Sequence, residues 1–298
     1  MLNNSTIKKV DFHNHTNISD GVYSPEQLID FSIAQNLIAL AITDHDSIGG
    51  LERAVKYAAE KNFNFIPGIE FSLGYSGGSF HLVGLYIDYN NERLHDTVKH
   101  LQEFRFDRAR RMVEELNRHG INISFDDVRA EMQGTSIGKP HIANVMIKKG
   151  YAADMSDVFT NFMTQGKPGH VKKENIPVSE VVSVIKEAGG IPIIAHPASL
   201  RFTSQKQFED MIKNLIDIGV QGIEVYSSMH QMNEVFQFYK IARKFNLLIS
   251  GGSDFHGDKK EDLGAYSEGK YIPLEIFDDI EKFRRKNANI KGLNQLRT

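Results

Sequence analysis

Short apolar, β-branched runs alternate with helix-length amphipathic segments through most of the 298 residues. The runs KKVDF, IALAIT, NFNFIPGIEF, FHLVGLYI, IPIIA, GIEVY and LLISGG have strand length and composition. Their alternation with helical periods predicts βα units around a mainly parallel sheet. Between the first two, SPEQLIDFSIAQN predicts a helix: Ser24 serves as its cap, Pro25 suits its first turn, and the pairs Leu28/Phe31 and Ile29/Ile33 repeat at helical spacing. From about residue 91 the rhythm breaks. Leu94, Val98, Leu101, Met112, Val113 and Leu116 recur at helical spacing through a long charged segment that Gly120 closes. Ser124 and Asp127 then have the spacing of a capping box, with Asp in place of Glu, opening the first of two or three shorter helices. Residues 1–90 and 167–298 are therefore expected to form an α/β barrel in two parts, with 91–166 a helical insertion between them.

A chain of this length buries a full core without staples. It has no cysteine, which excludes disulfides, thiolate catalysis and sulfur-held metals, so any metal must be held by histidine and carboxylate. The net charge of -3 and the absence of a basic stripe do not suggest duplex binding by bulk charge. The opening MLNNSTIKKV lacks the apolar core of a secretory signal, and no run approaches the roughly 20 apolar residues that span a bilayer. A cytoplasmic protein without membrane contact is the expectation.

Chemistry gathers where the strands end. His13 and His15 close VDFHNH, Asp44, His45 and Asp46 close AITDHD, Glu70 closes IPGIE, His196 closes IIAHP, and Asp254 and His256 follow LLISGG. In parallel α/β architectures the carboxyl ends of the strands form one face, so these groups suggest a single site. His81 instead begins its strand; a hairpin centred near Tyr75 and Ser76 would bring it roughly opposite Glu70 and onto the same rim. In an extended segment residues i and i+2 point the same way, so both rings of His-x-His can approach one cation. Histidine mixed with carboxylate suits zinc, manganese or iron better than calcium or magnesium. Each motif alone also has a plain structural reading, TDHD as a turn and helix cap for instance; the ordered set is what carries the inference. His95, His100 and His119 lie in the charged helix and read as solvated, and GYSGGSF lacks the Gly-Lys-Ser or Gly-Lys-Thr of a nucleotide cradle.

In order and spacing, DFHNHTNISDG, AITDHD, PGIEFS, HLVGLY, IAHP and GGSDFH resemble the motifs of the PHP family, named for polymerase and histidinol phosphatase domains, from residue 10 to about 257. The resemblance implies a distorted (β/α)7 barrel that holds two or three divalent metal ions (Mn, Zn or Fe) and hydrolyses phosphoesters. It implies one metal on His13, His15 and Asp254 with Glu70 bridging to a second, His81 and His196 on that second, and Asp20, His45 and His256 on a third. Asp20 stands where some members carry histidine. TSIGKPHIANVMIKKGY and QGKPGHVKK are similar to the stand-alone members whose helical subdomain covers the barrel mouth. That likeness nominates Lys139 and His141 as phosphate contacts, EVYSSMH nominates Ser227 and His230, and Arg201 is a further candidate beyond AHP.

The expected activity is hydrolysis of a phosphate monoester of a nucleotide by a hydroxide bridging two cations, with no covalent enzyme intermediate. The overall resemblance favours removal of the 3′-phosphate from nucleoside 3′,5′-bisphosphates. The alternatives are 5′-to-3′ trimming of short single-stranded RNA or DNA, a histidinol-phosphate-type phosphatase, and, in a different class, a module that binds metal or phosphate without turnover. A mononucleotide enzyme needs a closed pocket, whereas an exonuclease needs an open channel with stacking surfaces and cationic contacts.

Overall fold

The computed structural model describes residues 7–74, 79–174, 176–257 and 262–295. Strands β1 (Lys9–Asp11), β2 (Leu37–Ile42), β3 (Asn64–Leu73), β4 (Phe80–Leu85), β5 (Ile191–Ile194), β6 (Gly222–Ser227) and β7 (Leu248–Gly252) pair in chain order in one sheet. Neighbours are parallel except that β4 runs antiparallel to both β3 and β5. The sheet curls until its two edges meet. Phe12 N–H donates to Gly251 O (3.2 Å), His15 N–H to Phe255 O (2.9 Å) and Asp254 N–H to His13 O (3.0 Å). This seam is stitched by the segments that continue β1 and β7 rather than by a long ladder, and it completes a barrel of the expected class.

The period of two along each strand sorts the apolar side chains. Val10, Ala39, Ala41, Ile66, Val83, Leu85 and Ile193 face inward, with Ile276 and Ile280 of the C-terminal helix closing the end away from the parallel strands' carboxyl termini. Leu40, Ile42, Ile69, Phe71, Leu82 and Ile194 face outward against the surrounding helices. Those helices are α1 (Pro25–Ala34) and α2 (Leu51–Glu60) in the first part, and α7 (Val178–Glu187), α8 (Gln205–Asp217) and α9 (Met232–Lys244) in the second; the helix that closes the barrel end is α10 (Glu275–Gln295). Ser24 caps α1 in a full capping box with Gln27, and Leu28 and Ile29 are buried while Ile33 is exposed. A small hairpin, β8 (Ala265–Ser267) and β9 (Lys270–Tyr271), lies between β7 and α10.

Between β4 and β5 the chain builds α3 (Glu92–Arg118), α4 (Phe125–Ala130), α5 (Lys139–Lys148), α6 (Met155–Val158) and a π-turn at Phe159–Met163. Leu94, Val98 and Leu101 of α3 belong to the outer barrel layer, but beyond Ala109 its apolar face joins a separate cluster with Val128, Ile142, Met146, Val158 and Met163. One continuous helix thus ties the insertion to the barrel. Gly120 ends it in the left-handed region (φ 85°), and Ser124 and Asp127 form the reciprocal cap of α4.

The antiparallel β3/β4 pair differs in register from the expectation. Glu70 pairs with Val83, and His81 with Ser72. Glu70 and His81 are diagonal neighbours on one face, a separation their long side chains span. Tyr75 and Ser76, the expected hairpin centre, lie outside the described residues.

Candidate metal centre

His13 and His15 leave the end of β1 in extended backbone, and their rings share a side with centroids 5.2 Å apart. His45 follows β2, Glu70 sits in β3, His81 in β4, His196 follows β5, and Asp254 and His256 follow β7. Asp20 comes from the loop that β1 feeds. The nine groups meet at one mouth of the barrel. Four overlapping sets bring their ligand atoms within 4.8 Å of one another: His15, Asp20, His45 and His256; His13, His15 and Asp254; His13, Glu70 and His196; His45, Glu70 and His81. Glu70 is central, with Oε1 2.8 Å from His81 Nδ1 and 3.0 Å from His196 Nε2, and Oε2 2.7 Å from His45 Nδ1. The expected third-site residues do gather, with His15 among them. His81 and His196 share an oxygen of Glu70 but fall into different sets.

The donor chemistry fits divalent cations. His13 Nε2, His15 Nδ1 and Asp20 Oδ1 are buried and make no hydrogen bond within the protein. Each such orphan costs about 1–3 kcal/mol, and a shared cation satisfies several at once. Burial works against the Glu70 charge, but His45, His13 and His81 outweigh it and hold the carboxyl well below its usual range. Asp20 and Asp254 are likewise held low against burial by their histidines. Burial pushes His15 down to about 3 and His81 to about 4, whereas for His256 burial is overcome by Asp20 and the ring rises to about 10. The acids stay ionised and demand positive charge, which metal supplies in exchange for protons. Six imidazoles and three carboxylates favour transition metals over magnesium alone.

Behind these groups stands a row of buried acids that the sequence reading did not single out as one. Asp44 accepts from Thr16 N–H (2.7 Å), Thr16 Oγ1 (2.6 Å) and Ser19 Oγ (2.7 Å), bracing the loop that carries Asp20. Asp11 accepts from His13 N–H (3.2 Å), Ser253 N–H and Oγ (3.0 and 2.5 Å) and Gly264 N–H (2.7 Å). Burial lifts Asp11 to about 6 in spite of those donors. Glu224 accepts from His13 Nδ1 (2.8 Å) and His196 N–H (2.6 Å). Asp254 and His196 hold positive φ (55° and 24°), a conformation that costs about 1–3 kcal/mol and persists only where surroundings impose it.

Above the cluster, a cleft of about 1130 Å³ opens between barrel and insertion, bordered by Asp20, His45 and His81. Arg105, Arg108, Lys139, Lys173 and Arg201 line it, together with apolar Leu101, Phe104, Met112 and Phe159. Arg105 Nε donates to Asp46 Oδ2 (2.5 Å) and its Nη2 to Ser72 Oγ (2.8 Å), so α3 is tied directly to the rim. Lys173 Nζ donates to Ser72 O (2.6 Å), and burial pushes it down to about 7. Of the five nominated phosphate contacts, Lys139 and Arg201 line the cleft and three do not. His141 is buried, its Nδ1 accepting from Gly138 N–H (3.0 Å) as part of the α5 cap. Ser227 is buried and accepts from Met229 N–H (3.3 Å), and buried His230 donates from Nδ1 to Val225 O (2.9 Å). Arg105, Arg108 and Lys173 were missed: on sequence they read as one more charged helix face and a loop lysine.

A PHP domain model matches residues 11–158. A 3′,5′-nucleoside bisphosphate phosphatase of Chromobacterium violaceum is 35% identical over 275 residues, 91% of this chain and 96% of its own. A 5′-3′ exoribonuclease of Salmonella typhimurium is 31% identical over 248 residues, 83% and 84% of the two chains. Among solved structures, a Chromobacterium violaceum protein described as an amidohydrolase, with bound sulfate and no metal, matches with TM-score 0.80 at 33% identity over 91% of this chain and 96% of its own. A candidate metal-dependent phosphoesterase of Bifidobacterium adolescentis gives TM-score 0.81 at 28% identity over 92% and 96%. No helix among the described residues is long and apolar enough to cross a membrane. Likeness of this extent to a phosphatase and an exoribonuclease, on a barrel whose mouth gathers side chains able to bind metal, makes the chain a member of the PHP family and a metal-dependent phosphoesterase.

Proposed function

We propose that this enzyme removes a phosphate monoester from a nucleotide, with the 3′-phosphate of nucleoside 3′,5′-bisphosphates as the reading best supported. The observation that carries it is the cleft: six cations, Lys172 with the five named above, and an apolar wall stand over a cluster of nine groups able to bind metal. The 35% identity to a bisphosphate phosphatase along nearly the full length of both chains supports the choice of ester. On this reading His13, His15 and Asp254 would hold one ion, Glu70 with His196 and His81 a second, though these two histidines fall into different sets, and Asp20, His45 and His256, joined by His15, a third.

Divalent ions held there would polarise the phosphate and lower the pKa of a coordinated water into the neutral range. The chain's own side chains do the rest. Arg105, Arg108, Lys139 and Arg201 offer donors to phosphate oxygens, and the planar guanidinium groups suit a two-oxygen grip. Phe104, Phe159 and Met112 give the nucleoside an apolar surface. The insertion covers the mouth, which limits bulk water and strengthens each charge contact.

A second reading, 5′-to-3′ trimming of short RNA, is favoured by the size of the cleft, which exceeds the roughly 300–1000 Å³ of ordinary small-molecule pockets. Phosphate and nucleotide release by manganese-loaded protein, measured in parallel on a nucleoside 3′,5′-bisphosphate, a 5′-phosphorylated RNA oligomer and histidinol phosphate, separates the readings. The bisphosphate is expected to give the highest kcat/KM. An oligomer preferred by more than about tenfold would install the second reading, and turnover of none would leave a binding module.

A further inference from the structure

Glu224 is a fully buried acid in the middle of β6, outside the nine-residue cluster, and each of its oxygens is committed to a different residue of that cluster. Oε1 faces His13 Nδ1 at 2.8 Å and Oε2 faces the backbone N–H of His196 at 2.6 Å. His13 leaves β1 and His196 leaves β5, so one side chain on a third strand touches both. The far nitrogen of His13, Nε2, lies 3.2 Å from Glu70 Oε1 and 3.6 Å from Asp254 Oδ1 and makes no hydrogen bond within the protein. His196 takes up φ 24°, ψ 64°, in the left-handed region that a β-carbon disfavours.

We propose that Glu224 is a positioning residue of the metal centre, a two-sided bracket that fixes the protonation pattern of one ligand and the backbone of another. The inference rests on the metal-ligand reading of His13 and His196 given above. With a carboxylate at Nδ1, the neutral imidazole keeps its proton there and presents the Nε2 lone pair to the cation. On the other side, the hydrogen bond to His196 N–H holds the turn that swings the His196 ring back toward Glu70. Both contacts need an acceptor, and a carboxylate is the side chain that offers an acceptor in both directions.

An isosteric amide cannot satisfy both. If the oxygen of a glutamine accepts from His196 N–H, its NH2 faces His13 Nδ1 and drives the ring proton to Nε2, where metal should bind. If the amide is turned over, NH2 opposes the His196 N–H and the turn loses its restraint. Glu224→Gln is therefore a test that leaves volume unchanged while removing one acceptor.

The experiment is manganese binding by wild-type and E224Q protein, with affinity from chelator competition and stoichiometry from elemental analysis, and with the fold of each checked by circular dichroism. E224Q is expected to bind manganese about 10–100-fold more weakly. Equal affinity and stoichiometry in a folded E224Q protein would overturn the bracket while leaving the metal centre intact. Wild-type protein that binds no manganese would instead overturn both the ligand reading and the inference built on it. Should E224Q fail to fold, nitrogen-15 spectra of the zinc-loaded wild-type protein decide the matter. The His13 signals, assigned by their loss in His13→Asn, are expected to show a protonated Nδ1 and a metal-bound Nε2. The reverse pattern would sink the proposal.

Discussion

At the cleft wall the ammonium of Lys139 sits beneath the Phe159 ring (5.9 Å to its centre), with its Nζ donating to Met163 O at 3.3 Å. Burial and the neighbouring Arg108 push its pKa down to about 8 from the ordinary 10.5. A lysine with a lowered pKa is charged below that value and loses its charge above it, so attraction for an anionic substrate is present at pH 7 and fades between about 8 and 9. Wild-type KM is expected to rise over that interval, and Lys139→Ala to show a KM raised about tenfold at pH 7, the scale of one charged hydrogen bond, with a flatter climb. Steady-state kinetics from pH 6.5 to 9 on both proteins check this; parallel curves would remove Lys139 from substrate binding. Most of the proposed ligands were legible because His13, His15, His45, His196, Asp254 and His256 stand just beyond an apolar run, a position with no packing reason for histidine, whereas Asp20 in its loop and His81 near the start of β4 do not follow that rule. Glu224 was not, since GIEVY reads as strand whether or not its acid touches anything. Arg105 and Arg108 were hidden by the periodicity of their own helix, where a charge facing a cleft and a charge facing solvent look alike.

At the scale of elements, the rim and the insertion meet most closely in backbone at Ile18, beside the side-chain ties from Arg105 to Asp46 and Ser72. Thr135 and Ser136 N–H both donate to Ile18 O, at 3.0 and 3.2 Å, and a β-carbon on Gly134 would overlap the Ile18 backbone. Ile18 lies in the loop between His15 and Asp20, so the segment joining α4 to α5 rests directly on the proposed third ligand group. Gly134→Ala has to push the two apart. The expected outcome is a loss of about 1–3 kcal/mol in urea unfolding, the cost of overpacking, together with a raised KM because the insertion carries Arg105, Arg108 and Lys139 of the cleft. Unchanged stability and KM would mean that the loop yields freely. The alternation of strand and helix and the long amphipathic α3 were legible from periodicity, and the caps at Ser24 and Ser124 followed from local chemistry. The β3/β4 register was not. A two-residue shift keeps the same side chains on the same face, so pattern alone cannot distinguish Glu70 opposite His81 from Glu70 diagonal to it.

For the whole molecule, the seam that closes the barrel without a regular ladder is also where its site lies. Edge strands β1 and β7 meet through Phe12 N–H to Gly251 O, Asp254 N–H to His13 O and His15 N–H to Phe255 O, whereas β2 and β3 share a regular ladder. His13 and His15 stand on one lip of that seam and Asp254 and His256 on the other, with His15 Nε2 3.1 Å from Asp254 Oδ1. Metal held by both lips would add a cross-strand link where the backbone supplies no regular ladder. Binding to the folded state alone stabilises by about 4 kcal/mol at a thousandfold excess over Kd. Divided by an unfolding entropy of about 2.1 cal/mol/K per residue, that corresponds to a Tm rise of about 6 °C for a chain of this size. Chelation is expected to reverse it, and the loosening should be local first. In hydrogen exchange after metal removal, the amides of His15 and Asp254 are expected to lose protection well before those of Ala41 and Ile42 in β2. Uniform loss across both strand pairs would show that the metal stabilises the barrel as a whole, and an unchanged Tm would show that the seam closes without it.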